Sequence, residues 1–350
     1  MTHHLAAVNI KERPYMPSAF DSLMPEQRDH LLKMAQPEWV NPMLATLTDE
    51  RFSRDGWIFE PKLDGERCLA FKKNGDVRLL SRNRLLLNGS YPELVKAFEQ
   101  QKADNLIVDG EVVAFKSDVT SFETLQSRMQ SRTPEKALIK QVPVFYYLFD
   151  IIYLDGYDLR NLPLRYRKGI LTQAISFRDP LRFTPHVERE GLPYYKQACG
   201  KGWEGVIAKR YDSPYVSLRS KDWLKFKCVS EQELVIGGYT EPRGSRSGFG
   251  ALLTGYYERG KLVYSGKVGT GYNEETLHTL GAELVSLEQP VSPFAGVIKG
   301  SGIHWVKPEL VAQVGFSEWT QYGMLRHPRF LGLRRDKPAR DVVREVPHDR

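Results

Sequence analysis

The strongest chemical signature in the chain surrounds Lys62, in the stretch Glu60-Pro61-Lys62-Leu63-Asp64-Gly65-Glu66-Arg67. Apolar runs flank it, Trp57-Ile58-Phe59 before and Cys68-Leu69-Ala70-Phe71 after, so Lys62 sits at a turn between two strands. Desolvation and neighbouring cations both lower the pKa of an amine so placed, and only a neutral amine is a nucleophile. Two carboxylates stand in similar settings: Glu111 within Leu106–Phe115, and Glu204 just ahead of Val206-Ile207-Ala208. A carboxylate in an apolar strand must be paired or functional. Trp223-Leu224-Lys225-Phe226-Lys227 alternates, which on a strand puts Lys225 and Lys227 on one face and Leu224 and Phe226 on the other. An edge strand guarded by lysines would alternate in the same way. Far downstream lies Arg335-Asp336-Lys337.

The chemistry that uses such a set is nucleotidyl transfer through a covalent lysine. An amine attacks an α-phosphorus and pyrophosphate leaves. The α-phosphate oxygens gain charge in the transition state, so cations must converge on them, here Lys225, Lys227 and a divalent metal. Glu111 and Glu204 are the carboxylates to hold that metal, which ligand hardness makes Mg²⁺ (or Mn²⁺). The base needs an aromatic face, for which Phe149 is placed, and the ribose hydroxyls need an acceptor and a donor such as Glu111 and Arg67. Other routes lack their motifs. There is no G-x-x-x-x-G-K-[ST], kinase glycine loop, H-E-x-x-H or G-x-S-x-G, and Gly237-Gly238 alone carries no meaning.

In order and spacing these stretches resemble the ATP-dependent DNA ligases of the covalent nucleotidyltransferase superfamily, most closely the bacterial ligase-D and ligase-C group. The resemblance covers roughly residues 40–340. It is carried by Lys62–Arg67, Ser81-Arg82-Asn83, Asp109-Gly110-Glu111, Phe149-Asp150, Glu204-Gly205-Val206-Ile207, Trp223–Lys227 and Arg335-Asp336-Lys337, with Pro42-Met43-Leu44-Ala45 as the opening segment. The resemblance implies that Lys62 becomes adenylated, with Leu63 beside it in the nucleotide site. It puts Glu60 near the adenine amino group, Arg67 and Glu111 on the ribose, and Phe149 on the adenine face. Glu204 binds metal, Lys225 and Lys227 contact the α-phosphate, and Lys337 orients the departing pyrophosphate. Arg82 and Arg219 bind a 5′-phosphate of DNA or the nucleotide phosphates. The implied activity is sealing of 5′-phosphate/3′-hydroxyl breaks in duplex DNA through lysyl-AMP, in repair, with ATP and Mg²⁺. The implied partners are nicked or broken duplex and a Ku-like end-binding protein. The alternatives are an RNA ligase, a capping-type guanylyltransferase, and a non-catalytic duplex-binding module.

Elements that could position these residues are legible too. The 350 residues exceed one ordinary core. We expect an α+β fold: an arm over residues 1–38, an adenylation (nucleotidyltransferase) domain of mainly antiparallel sheets with flanking helices over 39–230, and an OB-fold β-barrel with a basic C-terminal segment over 231–350. A helix is expected over Met24–Met34, a hairpin at Asn74-Gly75, a helix from Pro92 to about Lys102, a central strand within Val142–Leu154 and a helix over Leu164–Ile175. Glu258-Arg259-Gly260-Lys261 reads as a hairpin loop, and Arg243-Gly244-Ser245-Arg246-Ser247-Gly248 as a cationic flexible loop. The net charge of +7 suits a polyanionic partner. Cys68, Cys199 and Cys228 are widely spaced, which suggests a reducing compartment with neither a disulfide framework nor a zinc site. No apolar run is long enough for a membrane helix and no signal peptide is visible, so a cytoplasmic monomer is expected.

Overall fold

A computed structural model of the chain describes residues 18–21, 23–228, 230–242 and 247–345. Residues 1–17 of the expected arm, and Arg243, Gly244, Ser245 and Arg246 of the expected cationic loop, lie outside the described residues.

The site-bearing part of the chain is two sheets laid face to face. In chain order the main elements are β1 (Leu44–Leu47), β2 (Trp57–Lys62), β3 (Glu66–Lys73), β4 (Asp76–Ser81), α1 (Pro92–Glu99), β5 (Asn105–Val113), α2 (Phe122–Gln130), β6 (Phe145–Leu154), α3 (Leu164–Ala174), α4 (Gly191–Gly200), β7 (Gly205–Arg210) and β8 (Arg219–Lys227). One sheet runs β6–β5–β3–β4 with short edge strands beyond β6, and the other runs β2–β7–β8–β1 with Val187–Glu188 beside β2. All these pairings are antiparallel except β8 with β1 and Leu181–Phe183 with β6. The β3–β4 hairpin turns at Asn74 and Gly75, both at positive φ, as an Asn-Gly pair requires.

Period-two alternation sorts the side chains. On β3, Cys68 and Ala70 join the core under the helices, whereas Leu69 and Phe71 face the second sheet. On β2 and β7, Trp57, Phe59, Val206 and Ala208 bury against α4. That leaves Glu60, Lys62, Ile207 and Lys209 on the opposite face, toward the first sheet. The strand expected within Val142–Leu154 is β6. Its ladder with β5 skips Phe149, since Asp109 pairs with Asp150 and Gly110 with Leu148. This bulge re-aims the extra side chain.

A separate core forms from Leu234 onward. Its elements are β9 (Ser230–Thr240), β10 (Leu252–Glu258), β11 (Lys261–Val268), α5 (Glu274–Ser286), β12 (Ile303–Val306), β13 (Val311–Phe316) and β14 (Arg329–Leu333). Strand β9 is long enough to pair with β10 and β12 through one half and with β13 through the other. The expected barrel does not close as a continuous ladder among the described residues. The path ends at β11 on one side and β14 on the other, and the amide of Phe330 donates to the carbonyl of Thr270 across the gap at 2.9 Å.

Other expectations are corrected. The helix expected over Met24–Met34 is a single turn, Pro25–Arg28, and Leu32–Lys33 instead pairs as a strand with Tyr157–Asp158. So short an apolar stripe does not sustain a helix by itself, and the edge offered better-satisfied backbone. Cys199, near the end of α4, and Cys228, just past β8, form a disulfide across 29 residues, while Cys68 stays free and buried. The return of β8 alongside β7 brings the two sulfurs together, which spacing alone does not announce. Strand β8 is flanked by β7 and β1, so its lysines do not guard an edge. No helix among the described residues is long and apolar enough to cross a membrane.

Candidate active site

Between the two sheets lies a cavity of about 200 Å³. Every residue given a site role from the sequence lines it: Glu60, Lys62, Leu63, Arg67, Arg82, Glu111, Phe149, Glu204, Arg219, Lys225, Lys227 and Lys337. Strand register explains the convergence. Lys62 pairs across β2–β7 with Gly205, which in turn pairs across β7–β8 with Lys227; Ile207 likewise links Glu60 to Lys225. On the facing sheet Arg67 pairs with Glu111. Glycines let these backbones approach. A Cβ on Gly110 would overlap the Tyr147 carbonyl, and one on Gly205, at φ +155°, the Phe226 carbonyl.

The state of Lys62 differs from expectation. Its Nζ ion-pairs with Glu204. Burial works to lower the amine's pKa, but Glu204, Asp64 and Glu111 outweigh it and hold the ammonium firmly protonated. The sequence shows the apolar neighbours of Lys62, but not the carboxylates that the fold carries to it. Glu111 makes no ion pair among the described residues, and burial pushes its carboxyl up to about 8. Asp64 is raised to about 7 by burial and by Glu204, while its carboxylate accepts from the first amide of α2, Phe122 N, at 2.9 Å.

Several assigned side chains are already engaged. The Glu60 carboxylate, expected near adenine, pairs with Lys168 and Lys209, each at 2.5 Å. Burial raises its pKa, but the two ammonium groups win and hold it low. Lys209 itself is lowered to about 8, chiefly by burial, with its Nζ near 4 Å from the ring centres of Phe149 and Trp223. The Arg67 guanidinium forks onto Asp109, at 2.6 Å for each bond, and lies 4.5 Å from the Phe149 ring centre. Tyr215 donates to the same Asp109 at 2.6 Å. Arg67 thus reaches the cavity as a group positioned by Asp109. Arg219 donates to the Ala45 carbonyl at 2.5 Å, whereas Arg82 makes no ion pair among the described residues. Burial and the nearby Arg67 and Arg219 lower the Arg82 pKa, against the pull of Glu233.

The far wall comes from the end of the chain. Lys337 pairs with Glu233 at 2.8 Å, and Arg334 forks onto Asp336 at 2.9 and 2.8 Å. Arg335 points away, onto Glu283 of α5. Asn83 donates to the Asp336 carbonyl, Gln126 of α2 to the Leu333 carbonyl at 3.3 Å, and Arg334 covers the Phe122 ring at 4.6 Å. The C-terminal unit is therefore closed over the site. Sequence reasoning missed Asp109, Lys168 and Lys209 as site residues, whereas Arg334 is legible as one member of the cationic cluster Arg334-Arg335-Asp336-Lys337. Of the three missed, only Lys209, a cation inside an apolar strand, carried a readable signal. Among the described residues no three carboxylate, histidine or cysteine side chains group as a metal cage. Glu111 and Glu204 nonetheless fit a cation that takes one or two carboxylates and completes its shell with phosphate and water.

Residues 42–227 match the ATP dependent DNA ligase domain family, and residues 245–337 match the ATP dependent DNA ligase C terminal region. The chain is 39% identical over 324 residues to the multifunctional non-homologous end joining protein LigD of Pseudomonas aeruginosa, covering 90% of this chain and 38% of that one. It is 37% identical to the LigD of Mycobacterium bovis, covering 87% of this chain and 40% of the relative. The chain thus spans about two fifths of the length of these relatives. Among solved structures it is similar to mycobacterial DNA ligase D complexed with ATP and MES, at 35% identity and a TM-score of 0.63, covering 87% of this chain and 98% of that one. The family match over residues 42–227 covers more than half of the sequence, and the relatives agree with it: the chain belongs to the ATP-dependent DNA ligases.

Proposed function

We propose that this chain joins a 5′-phosphate to a 3′-hydroxyl in duplex DNA through a lysyl-AMP intermediate. The observation that carries the reading is one cavity in which Lys62, Glu204, the Lys225–Lys227 pair and the C-terminal Arg334 and Lys337 face each other. In the first step the Lys62 amine bonds to the α-phosphorus of ATP as the bond to pyrophosphate breaks. Lys62 must first give up a proton, and Glu204, in contact with it, is the acceptor the geometry offers. Lys225 and Lys227 take up charge on the α-phosphate oxygens. Lys337 and Arg334 meet the pyrophosphate on the side opposite the amine. In the second step AMP passes to a 5′-phosphate and frees the Lys62 amine. In the third a 3′-hydroxyl displaces AMP. Glu111 and Glu204 are the residues to hold Mg²⁺ (or Mn²⁺), which when bound supplies Lewis-acid neutralisation of phosphate charge.

The relatives' names favour broken duplex ends as the cellular substrate. An end-binding protein of the Ku type is then a partner, and the bacterial cytoplasm the site of action. Intact mass with and without ATP tests the core of this reading. An AMP adduct that forms with ATP, does not form with GTP and discharges onto nicked duplex supports it. A chain that forms no adduct, or an adduct only with GTP, contradicts it.

A further inference from the structure

The Lys225–Lys227 pair is not free in this structure. Glu345 reaches between the two: one carboxylate oxygen pairs with Lys225, and the other lies 3.0 Å from Nζ of Lys227. A carboxylate bridging two ammonium groups uses the donors that a phosphate would use. The contact is enclosed, with exposures of 14% for Lys225, 13% for Lys227 and 17% for Glu345, so it is not an ion pair of the weak, solvated kind. Burial opposes charge on Glu345, yet the two lysines hold its carboxyl well below the ordinary range. The space left, about 200 Å³, is below the roughly 300 Å³ at which small-molecule pockets begin.

Glu345 is delivered by a strap. Val342 is fully buried in the C-terminal core, and its carbonyl accepts from the amide of Tyr257 at 2.7 Å. Gln232 clamps the next turn of chain from both sides, donating to the Val343 carbonyl at 3.1 Å and accepting from the Glu345 amide at 3.0 Å. The Arg344 guanidinium covers the Trp319 ring at 4.5 Å. All these anchors belong to the C-terminal unit, whereas the lysines stand on β8 of the other. Glu345 therefore enters the site when the units close and leaves with the C-terminal unit when they part.

We propose that Glu345 is a built-in stand-in for nucleotide phosphate, which plugs the Lys225–Lys227 site of the closed, nucleotide-free enzyme and must be displaced before ATP is used. The inference rests on the nucleotidyl-transfer reading above. A plug that competes within the molecule lowers apparent affinity by the fraction of time the site is free, and it leaves the saturated rate alone.

The test is self-adenylation of the full chain with labelled ATP over a range of concentrations. Glu345→Gln keeps the shape and removes the charge. It should lower the KM for ATP by about tenfold if the plug is seated about nine-tenths of the time, with kcat unchanged. Gln232→Ala, which loosens the strap and touches neither lysine, should lower KM in the same direction and so covers the case in which the first variant misfolds. A fall in KM at unchanged kcat in either variant supports the plug. A KM unchanged or raised in every variant that folds overturns it. Failure of the wild-type chain to form any AMP adduct sinks the underlying reading instead.

Discussion

In the proposed reaction Lys62 is a nucleophile stored unreactive. With Glu204 against it the amine is an ammonium, and its nucleophilicity waits on proton transfer. Lys62→Ala removes the nucleophile, and Lys62→Arg replaces it with a group that does not deprotonate. Neither variant should gain AMP mass on incubation with ATP, while circular dichroism stays that of the wild type. An adduct on either, or loss of fold in both, would show a structural lysine instead. The carboxylates around it set the pH response. Burial lifts Glu111 to about 8; burial aided by Glu204 lifts Asp64 to about 7, and burial aided by Asp336 lifts Glu66 to about 7. The folded chain therefore keeps protons that the unfolded chain, with ordinary values of 3.8 and 4.5, has released. Their stabilisation is fully present below those values and is lost as pH rises toward 7–8. Glu233 acts the other way. Burial opposes its ionisation, but Lys337 and Arg334 bring it to about 2, so its contribution is present above 4.5 and lost as pH falls toward 2. The thermal midpoint should peak at about pH 4–4.5 and decline by about pH 8, and Glu111→Gln should make that decline shallower. A midpoint flat over this range, or an unaltered slope in the variant, would contradict the assignment.

At the scale of elements, the site depends on strands packed closer than side chains allow. Gly205 has φ +155°, and the Phe226 carbonyl lies where its Cβ would be. Backbone on the far side cannot swing away as a side-chain tip can, so Gly205→Ala must pry β7 from β8. We expect a loss of about 1–3 kcal/mol in stability by denaturant unfolding. We also expect slower adduct formation, because Glu204 and Lys227 flank the same point. A variant of wild-type stability would mean that the strands separate freely there. The bulge at Phe149 works in the opposite sense, adding a residue so that an aromatic ring turns into the cavity.

The whole molecule is seen in one of the two arrangements its chemistry needs. With the C-terminal unit closed, Lys337 and Arg334 line the cavity, and on the proposed reading duplex DNA must still reach it. The proposed cycle therefore has the unit swing aside between steps. Lys337→Ala should therefore slow lysyl-AMP formation by about 10²-fold or more, the scale of a lost transition-state contact, and leave sealing of a pre-adenylated nick nearly intact. Lys225→Ala should harm both steps, since the α-phosphate is present throughout. Equal damage to both assays by Lys337→Ala would mean that the tail acts in the site at every stage. DNA binding should weaken steeply with salt and depend little on sequence, because Lys and Arg contacts to phosphates release counterions and carry no base readout. A flat salt response of nicked-duplex binding would count against a phosphate-tracking surface.

Residue types and strand alternation select Glu111, Glu204, Lys225 and Lys227, because a period of two decides which face a side chain takes wherever a strand is recognised, whereas Glu60, Leu63, Arg82, Arg219 and Lys337 come only through the family resemblance. Other local signals serve as well: the turn between apolar runs marks Lys62, Asn-Gly turn chemistry marks the Asn74-Gly75 hairpin, and an unbroken apolar run marks β6. Partnership obeys no such local rule. That Glu60 serves Lys168 and Lys209, that Asp109 holds Arg67, that Cys199 meets Cys228 and that Glu345 lands on two lysines depends on segments far apart in the chain. The ionisation of Lys62 went with them. Its apolar neighbours are written beside it, but the carboxylates that keep it charged arrive only when the sheets fold face to face.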